Sequence, residues 1–405
     1  MHLQHASTLL STLSRKRQTR MGSKGERIFW AISLQVAVIN FYLGGFGPAQ
    51  PLLRAQQHTS LTIAGLHGTA MGIASIFAGL AGPRIVHRFG RASTSWMGMA
   101  IFSVGVLIFV ISPPIQLTLF ATLITGFGTS IVVNVMVTQL SHHYPRNPSR
   151  AISKASGIAS IGYILGTLSA GIIAGTSFSW RLGLLAVIPA SIVLYILANK
   201  VIATDHTPDP IGHERGSLNR KFWIAWVGFI ACISSEFAIT FWSAALLRER
   251  LGSSAAYSTI YIMAIGTGMG VGRWFGPNLL RRFVLDSQLK IAITIQFIGF
   301  AALWFSHLFL FSLIALFAVG AGISMQFALA ALRLIRFSEG RPDLAIAKSS
   351  LAAGIAIAGA PFIIGVLGDQ FGISRAFILV PLLILIALGA VVAIPSEQPT
   401  VQENL

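Results

Sequence analysis

Residues 82–91 read Gly82-Pro83-Arg84-Ile85-Val86-His87-Arg88-Phe89-Gly90-Arg91, and 194 positions after Gly82 the chain reads Gly276-Pro277-Asn278-Leu279-Leu280-Arg281-Arg282-Phe283. The same offset lays Ala151-Ile152-Ser153-Lys154-Ala155-Ser156 over Ala345-Ile346-Ala347-Lys348-Ser349-Ser350. It also lays Leu52-Leu53-Arg54 over Leu246-Leu247-Arg248, Gly171 over Gly365 and Arg181 over Arg375. Apolar bias readily aligns Leu with Leu, but it does not align Pro, Lys and several Arg at one offset. The chain is an internal duplication, and what lies between these joints tells what is duplicated.

Between the joints run long apolar segments. The composition is 54% apolar and 10% charged, against about a quarter charged in an ordinary soluble domain. About 20 mostly apolar residues make a helix long enough to cross the hydrocarbon layer. Twelve such runs are present: 28–47, 61–82, 93–111, 117–140, 151–174, 181–199, 222–247, 255–276, 289–306, 309–332, 347–367 and 374–394. Membrane strands alternate apolar and polar residues over about ten positions, whereas these runs are apolar on most faces. The longest polar interval, with Asp205, Pro208, Asp209, Pro210 and Glu214, divides the helices six and six. The expected organisation is a basic tail over 1–27, a six-helix bundle over 28–199, a linker over 200–221, a second bundle over 222–394 and a tail over 395–405. A half with an even number of helices starts and ends on one membrane side, so the halves are parallel repeats about the membrane normal, an arrangement found in transporters. The predicted fold class is an all-α integral membrane protein of two pseudo-symmetric six-helix bundles.

The formal charge of +17 invites a nucleic-acid reading, but the positions of the charges oppose it. Of 29 Lys and Arg, 23 fall on the side that holds both termini. Only Arg54, Arg181, Arg248, Arg250 and Arg375 fall opposite, with Arg273 near a helix end. Basic residues collect in cytoplasmic loops, which predicts cytoplasmic termini, a multi-pass protein of the cell membrane, and no nucleic-acid partner. Residues 1–25 contain Ser, Thr and Arg but no acid, the composition of a transit peptide; a basic tail, uncleaved, is the expectation adopted, Met21 being an alternative start. The single Cys232 allows neither a disulfide framework nor a thiolate metal site. There is no Gly-rich phosphate loop, and no acid accompanies His142-His143, so neither an enzyme nor a metal or cofactor is expected.

The stretch 82–91 is similar to the Gly-x-x-x-Asp-Arg-x-Gly-Arg motif of the major facilitator superfamily of secondary transporters. Arg88, Gly90 and Arg91 match it, the glycine position holds Pro83 just after Gly82, and the aspartate position holds His87. Trp180-Arg181 and Gly368-Asp369-Gln370-Phe371-Gly372 extend the resemblance, which covers roughly residues 28–394. It implies a cytoplasmic gate at Gly82, Pro83, His87, Arg88, Gly90 and Arg91, repeated at Gly276, Pro277 and Arg282. Other family patterns are missing: Thr122 stands where an arginine would precede Gly126 and Gly128, and Gly157, Gly162 and Gly166 lack the Gly-Pro pair of proton-exchanging exporters. Ser235-Glu236-Phe237-Ala238-Ile239-Thr240-Phe241-Trp242 resembles helix 7 of the fucose-permease-like branch.

Between Glu26 and Asp205 there is no acid, and Glu236 alone among the later acids falls in a membrane interior. It lies fourteen residues past Phe222, roughly 21 Å along a helix. An intramembrane carboxylate costs several kcal/mol unless it faces water, pairs or takes a proton, which makes Glu236 the first candidate for proton coupling. His67 is the second, because imidazole exchanges a proton near neutral pH. Arg273, two to three residues from the predicted end of its helix, is read as snorkelling or gating rather than as a partner for Glu236. Thr122, Gly126, Ser130, Asn134 and Thr138 recur every fourth residue, as expected of a stripe facing the bundle; Ser153, Ser156, Ser160, Tyr163 and Thr167 form a comparable one. The candidate solute contacts are Gln35, Asn40, Asn134, Tyr163, Thr240, Trp242 and Gln326. The expected function is secondary, proton-coupled transport of a small solute by a monomer. A neutral polar solute such as a sugar is favoured, with efflux of amphipathic drugs or a non-transporting sensor as alternatives.

Overall fold

The computed structural model describes residues 25–144, 147–202 and 217–396. The basic tail expected over 1–27, the linker over 200–221 and the tail over 395–405 lie largely outside these residues. Among the described residues ten helices are long and apolar enough to cross a membrane. Twelve spanning segments result because one of the ten, Leu61–Ile111, is two helices, and because Met263–Leu279 is a further one shortened by a break. We number them α1 (Gly25–Phe46), α2 (61–89), α3 (91–111), α4 (Ile115–His143), α5 (Pro148–Ala174), α6 (Trp180–Ile202), α7 (Arg220–Leu251), α8 (Met263–Leu279), α9 (Leu285–Phe305), α10 (Phe309–Arg336), α11 (Pro342–Phe371) and α12 (Ile373–Ala393).

The joint between α2 and α3 is a single residue, Gly90, with φ 79° and ψ 160°. A side chain there would be forced into a backbone region that only glycine occupies without strain. The stretch expected to be a loop after residue 82 is therefore helical almost throughout, with Pro83 inside α2 and Pro277 inside α8.

The duplication persists at the level of hydrogen bonds. Ser60 accepts from the Ile63 amide at 3.2 Å and Ser254, 194 residues on, accepts from the Tyr257 amide at 3.2 Å. Each cap satisfies an amide that the helix itself leaves free. The last carbonyls of α3 and α9 each receive a guanidinium, but from different elements. Arg181 donates to Phe109 O at 2.5 Å and Ser112 O at 3.0 Å, with its Nε donating to Gln56 Oε1 at 3.0 Å. In the second half Arg250, which occupies the repeat position of Gln56, donates to Leu303 O and Trp304 O. A cation at a helix C-terminus opposes the negative end of the dipole, and in a membrane it also satisfies carbonyls that water cannot reach.

The halves meet along α2 with α11 and along α5 with α8. No hydrophobic force distinguishes helix from lipid, so close backbone approach has to do the work. Where α2 crosses α11, a Cβ added to Gly72 would meet the Ala358 amide and one added to Gly365 would meet the Leu61 carbonyl.

Asp286 and Arg333, at helix ends on the terminal side, are buried at 6% and 2% exposure. Arg333 Nε donates to Asp286 Oδ1 at 2.9 Å, and its Nη2 donates to the carbonyls of Ala390 and Val391 at 3.3 Å and to Ile394 O. The other Asp286 oxygen accepts from the Ser396 amide at 2.5 Å. Helices α9, α10 and α12 are thereby tied together at one end.

Candidate functional site

Helix α7 carries Glu236 into the interior. Glu236 is half-buried, and the residues just before and after its turn, Ser235, Ala238 and Ile239, are buried. Arg273 of α8 is also half-buried, and the two charges lie within electrostatic reach of each other and of Tyr163 from α5. They do not form a direct ion pair. The Arg273 guanidinium instead donates across the interface between halves, to Ser160 Oγ at 2.9 Å and Ser156 O at 3.4 Å, while its Nε donates to Ser324 O at 3.4 Å. Ser153 Oγ in turn donates to Arg273 O at 2.6 Å. The Tyr163 hydroxyl is buried without a partner. A carboxyl, a guanidinium and a phenol without a hydrogen-bond partner thus lie within electrostatic reach of one another where α5, α7 and α8 come together.

Of the two expectations for Arg273, snorkelling or gating, the length of α8 bears on the first. The helix continues to Leu279, which puts Arg273 six residues, about 9 Å, from its end. An intramembrane arginine marks a functional site by default, and the helix beyond residue 276 carries Arg273 into that category because Pro277 lies inside it rather than ending it.

The other expected site residues are dispersed. Asn40 donates to Val36 O at 2.9 Å and, like Asn134, is half-buried. Gln35 accepts from Ser95 Oγ at 2.7 Å, leaving its Nε2 buried without a partner. Thr240 donates to Glu236 O at 2.9 Å, one turn along α7. Gln326 donates to Gln296 Oε1 at 2.7 Å, and Gln296 to Ser235 Oγ at 3.0 Å, a polar thread within the second half. Trp242 is fully buried and its indole N–H donates to Pro361 O at 2.9 Å, tying α7 to α11. His67 is also fully buried, with Nδ1 3.1 Å from Ala64 O and Nε2 3.0 Å from Thr118 Oγ1. The carbonyl requires Nδ1 to be the donor, so Nε2 is the acceptor. Both nitrogens are engaged in packing among Phe46 and Phe109, the geometry of a structural histidine.

The closing contacts lie on the side away from the termini. The Asp369 carboxylate accepts from the Leu61 and Thr62 amides, each at 2.8 Å, so the end of α11 caps the start of α2 across the two halves. Thr69 Oγ1 donates to Ala358 O at 2.9 Å, Thr259 Oγ1 donates to Pro48 O at 3.3 Å, and Phe46 meets Phe241 edge to face. The repeat-related Arg54 and Arg248, with His58 and Glu249, line a vestibule of about 730 Å³ on the same side. At the terminal side His87, Arg88 and Arg282 are exposed, and Arg88 lies over the ring of its neighbour Phe89. Among the described residues none of these three makes a hydrogen bond or ion pair to the other half. Replacing Asp369→Asn removes the charge from the helix terminus, which is worth about 1 kcal/mol. Spin labels at Ala55 and Gln370 are therefore expected to report a larger population with the far side open; an unchanged distance distribution rejects the gating role.

Comparison with known proteins agrees with this architecture. A family model described as Major Facilitator Superfamily matches residues 32–339. The chain is 25% identical over 178 residues to the Lincomycin resistance protein of Streptomyces lincolnensis, covering 44% of this chain and 35% of that protein. It is 25% identical over 193 residues to the uncharacterized MFS-type transporter EfpA of Mycobacterium tuberculosis, covering 47% and 34%. The chain thus spans about a third of the length of these relatives. In fold it is similar to a bacterial homolog of the human lysosomal transporter Spinster in an inward-facing, occupied conformation, with a TM-score of 0.71 at 13% identity over 90% of this chain and 96% of that one. It is also similar to the human organic anion transporter MFSD10 (TETRAN), with a TM-score of 0.67 at 12% identity over 91% and 99%. A duplicated six-helix architecture with charges at its centre, and a family model spanning well over half the sequence, place the chain in the Major Facilitator Superfamily.

Proposed function

We propose that the protein is a proton-coupled secondary transporter that works by alternating access, with Glu236 as the proton site. The observation that carries this reading is that Glu236 and Arg273 lie within electrostatic reach of each other without a direct bond, Arg273 instead donating across the halves to Ser160. Protonation of Glu236 removes the negative charge that competes for Arg273, and the guanidinium is then available to a solute. The halves rock about this site, and Asp369 with the Phe46–Phe241 contact closes the far side in the conformation described. By the distribution of basic residues, the terminal side is the cytoplasmic one. His67 and Trp242, whose polar atoms are used in packing, leave the proposed site.

A neutral sugar suits a cavity without charge. With Arg273 in the cavity and Arg54 and Arg248 at the far vestibule, a solute bearing a carboxylate or similar anion fits better. Export of amphipathic drugs is a second reading, supported by the name of the Streptomyces relative. Reconstituted vesicles with an imposed pH gradient, challenged with panels of sugars, organic anions and amphipathic antibiotics, are expected to show pH-driven flux of an organic anion. Binding of a solute without flux indicates a sensor, and flux insensitive to the pH gradient rejects proton coupling.

A further inference from the structure

A second cavity, of about 930 Å³, lies outside the transport path, on the outer surface of the first half between α3 and α6. Its walls include Met97, Val104, Leu107, Ile188 and Ile192, most of them exposed apolar side chains. Along α3 it runs from Ser93 to Leu107, fourteen residues or roughly 21 Å. That exceeds the half-thickness of the hydrocarbon layer, about 15 Å, so one acyl chain fits along it. The helices run in opposite directions, and Lys200 and Asn199 of α6 therefore stand at the terminal-side end beside Ser93.

Polar atoms in this groove lack partners. Trp96 Nε1, Ser103 Oγ, Ser191 Oγ and Asn199 Oδ1 are all buried and unbonded, and Ser191 is only 8% exposed. An unsatisfied polar group beside hydrocarbon costs free energy unless something bonds to it. The repeat shows that helix packing does not require Ser103, Ser191 or Asn199, although the position of Trp96 holds the polar Lys290. In the second half the positions of Ser103, Ser191, Asn199 and Lys200 hold Phe297, Leu385, Ala393 and Ile394.

We propose that this groove binds an anionic glycerophospholipid from the leaflet on the terminal side. Its phosphate lies at Lys200, its ester carbonyls accept from Trp96 and the serines, and one chain lies against Val104 and Leu107. Asn199 Oδ1 accepts a headgroup hydroxyl. The positive surplus of the terminal side matches the leaflet that holds anionic lipid.

Native mass spectrometry of the detergent-purified full chain tests this, with phosphatidylglycerol and phosphatidylcholine of identical chains as probes. One phosphatidylglycerol adduct is expected to persist under conditions that strip phosphatidylcholine. Lys200→Gln, at an exposed position, is expected to weaken it about fivefold. Ala100→Trp, which fills the groove, is expected to abolish it, while Ile394→Gln at the repeat position of Lys200 leaves it intact. Equal retention of the two lipids, or retention unaffected by both Lys200→Gln and Ala100→Trp, overturns the proposal.

Discussion

Glu236→Gln is expected to abolish pH-driven accumulation of solute while leaving solute exchange intact. One proton moved per solute across one pH unit sustains about a tenfold accumulation ratio, and the variant should bring that ratio to one. Glutamine is close in size and mimics the protonated carboxyl, so it should keep the packing of α7, α5 and α8. It cannot release a proton, and Arg273 no longer has a carboxylate competing for it. Counterflow in vesicles loaded with unlabelled solute measures exchange, and the same vesicles under an imposed gradient measure accumulation. Accumulation at the level of the unmodified protein would show that the proton travels elsewhere.

The largest effect on stability is expected from Asp286→Asn. Asparagine keeps one oxygen that can accept from Arg333 but sets an amide NH2 against the Ser396 amide, so the change removes the charge and one acceptor together. Arg333 is then left with its charge uncompensated at 2% exposure. Breaking a buried pair in this way costs about 3–5 kcal/mol, enough to lower the thermal midpoint of the purified protein by many degrees. The double variant Asp286→Leu with Arg333→Met removes both charges and is expected to recover most of the loss. A single variant as stable as the unmodified chain would mean that the backbone carbonyls of α12 alone hold the guanidinium.

The two variants differ in how far the sequence foretells them. Glu236 is legible because a lone acid in an apolar run has no cheap explanation. Asp286 is not, since an acid flanked by Ser287 and Lys290 near a helix start reads as an ordinary solvated residue. Its burial depends on Arg333 arriving from α10 and on the carbonyls at the end of α12, both far away in the chain. His67 and Trp242 fail for the converse reason. Their chemistry suits a site, but their partners, Thr118 and Pro361, come from other helices and use up the polar atoms.

The twelve crossings, the duplication and the lone interior carboxylate follow from the sequence itself, because lipid obliges every backbone group to be satisfied within its own segment and so makes each helix a local matter. Tertiary structure alone decides which polar side chains share a space. Arg273 joins Glu236 and Tyr163 only because α8 packs on α5, and Asp369 closes the far side only because α11 ends against the start of α2. Contacts between helices depend on close backbone approach at particular small residues, a property of pairs of segments that no single segment carries.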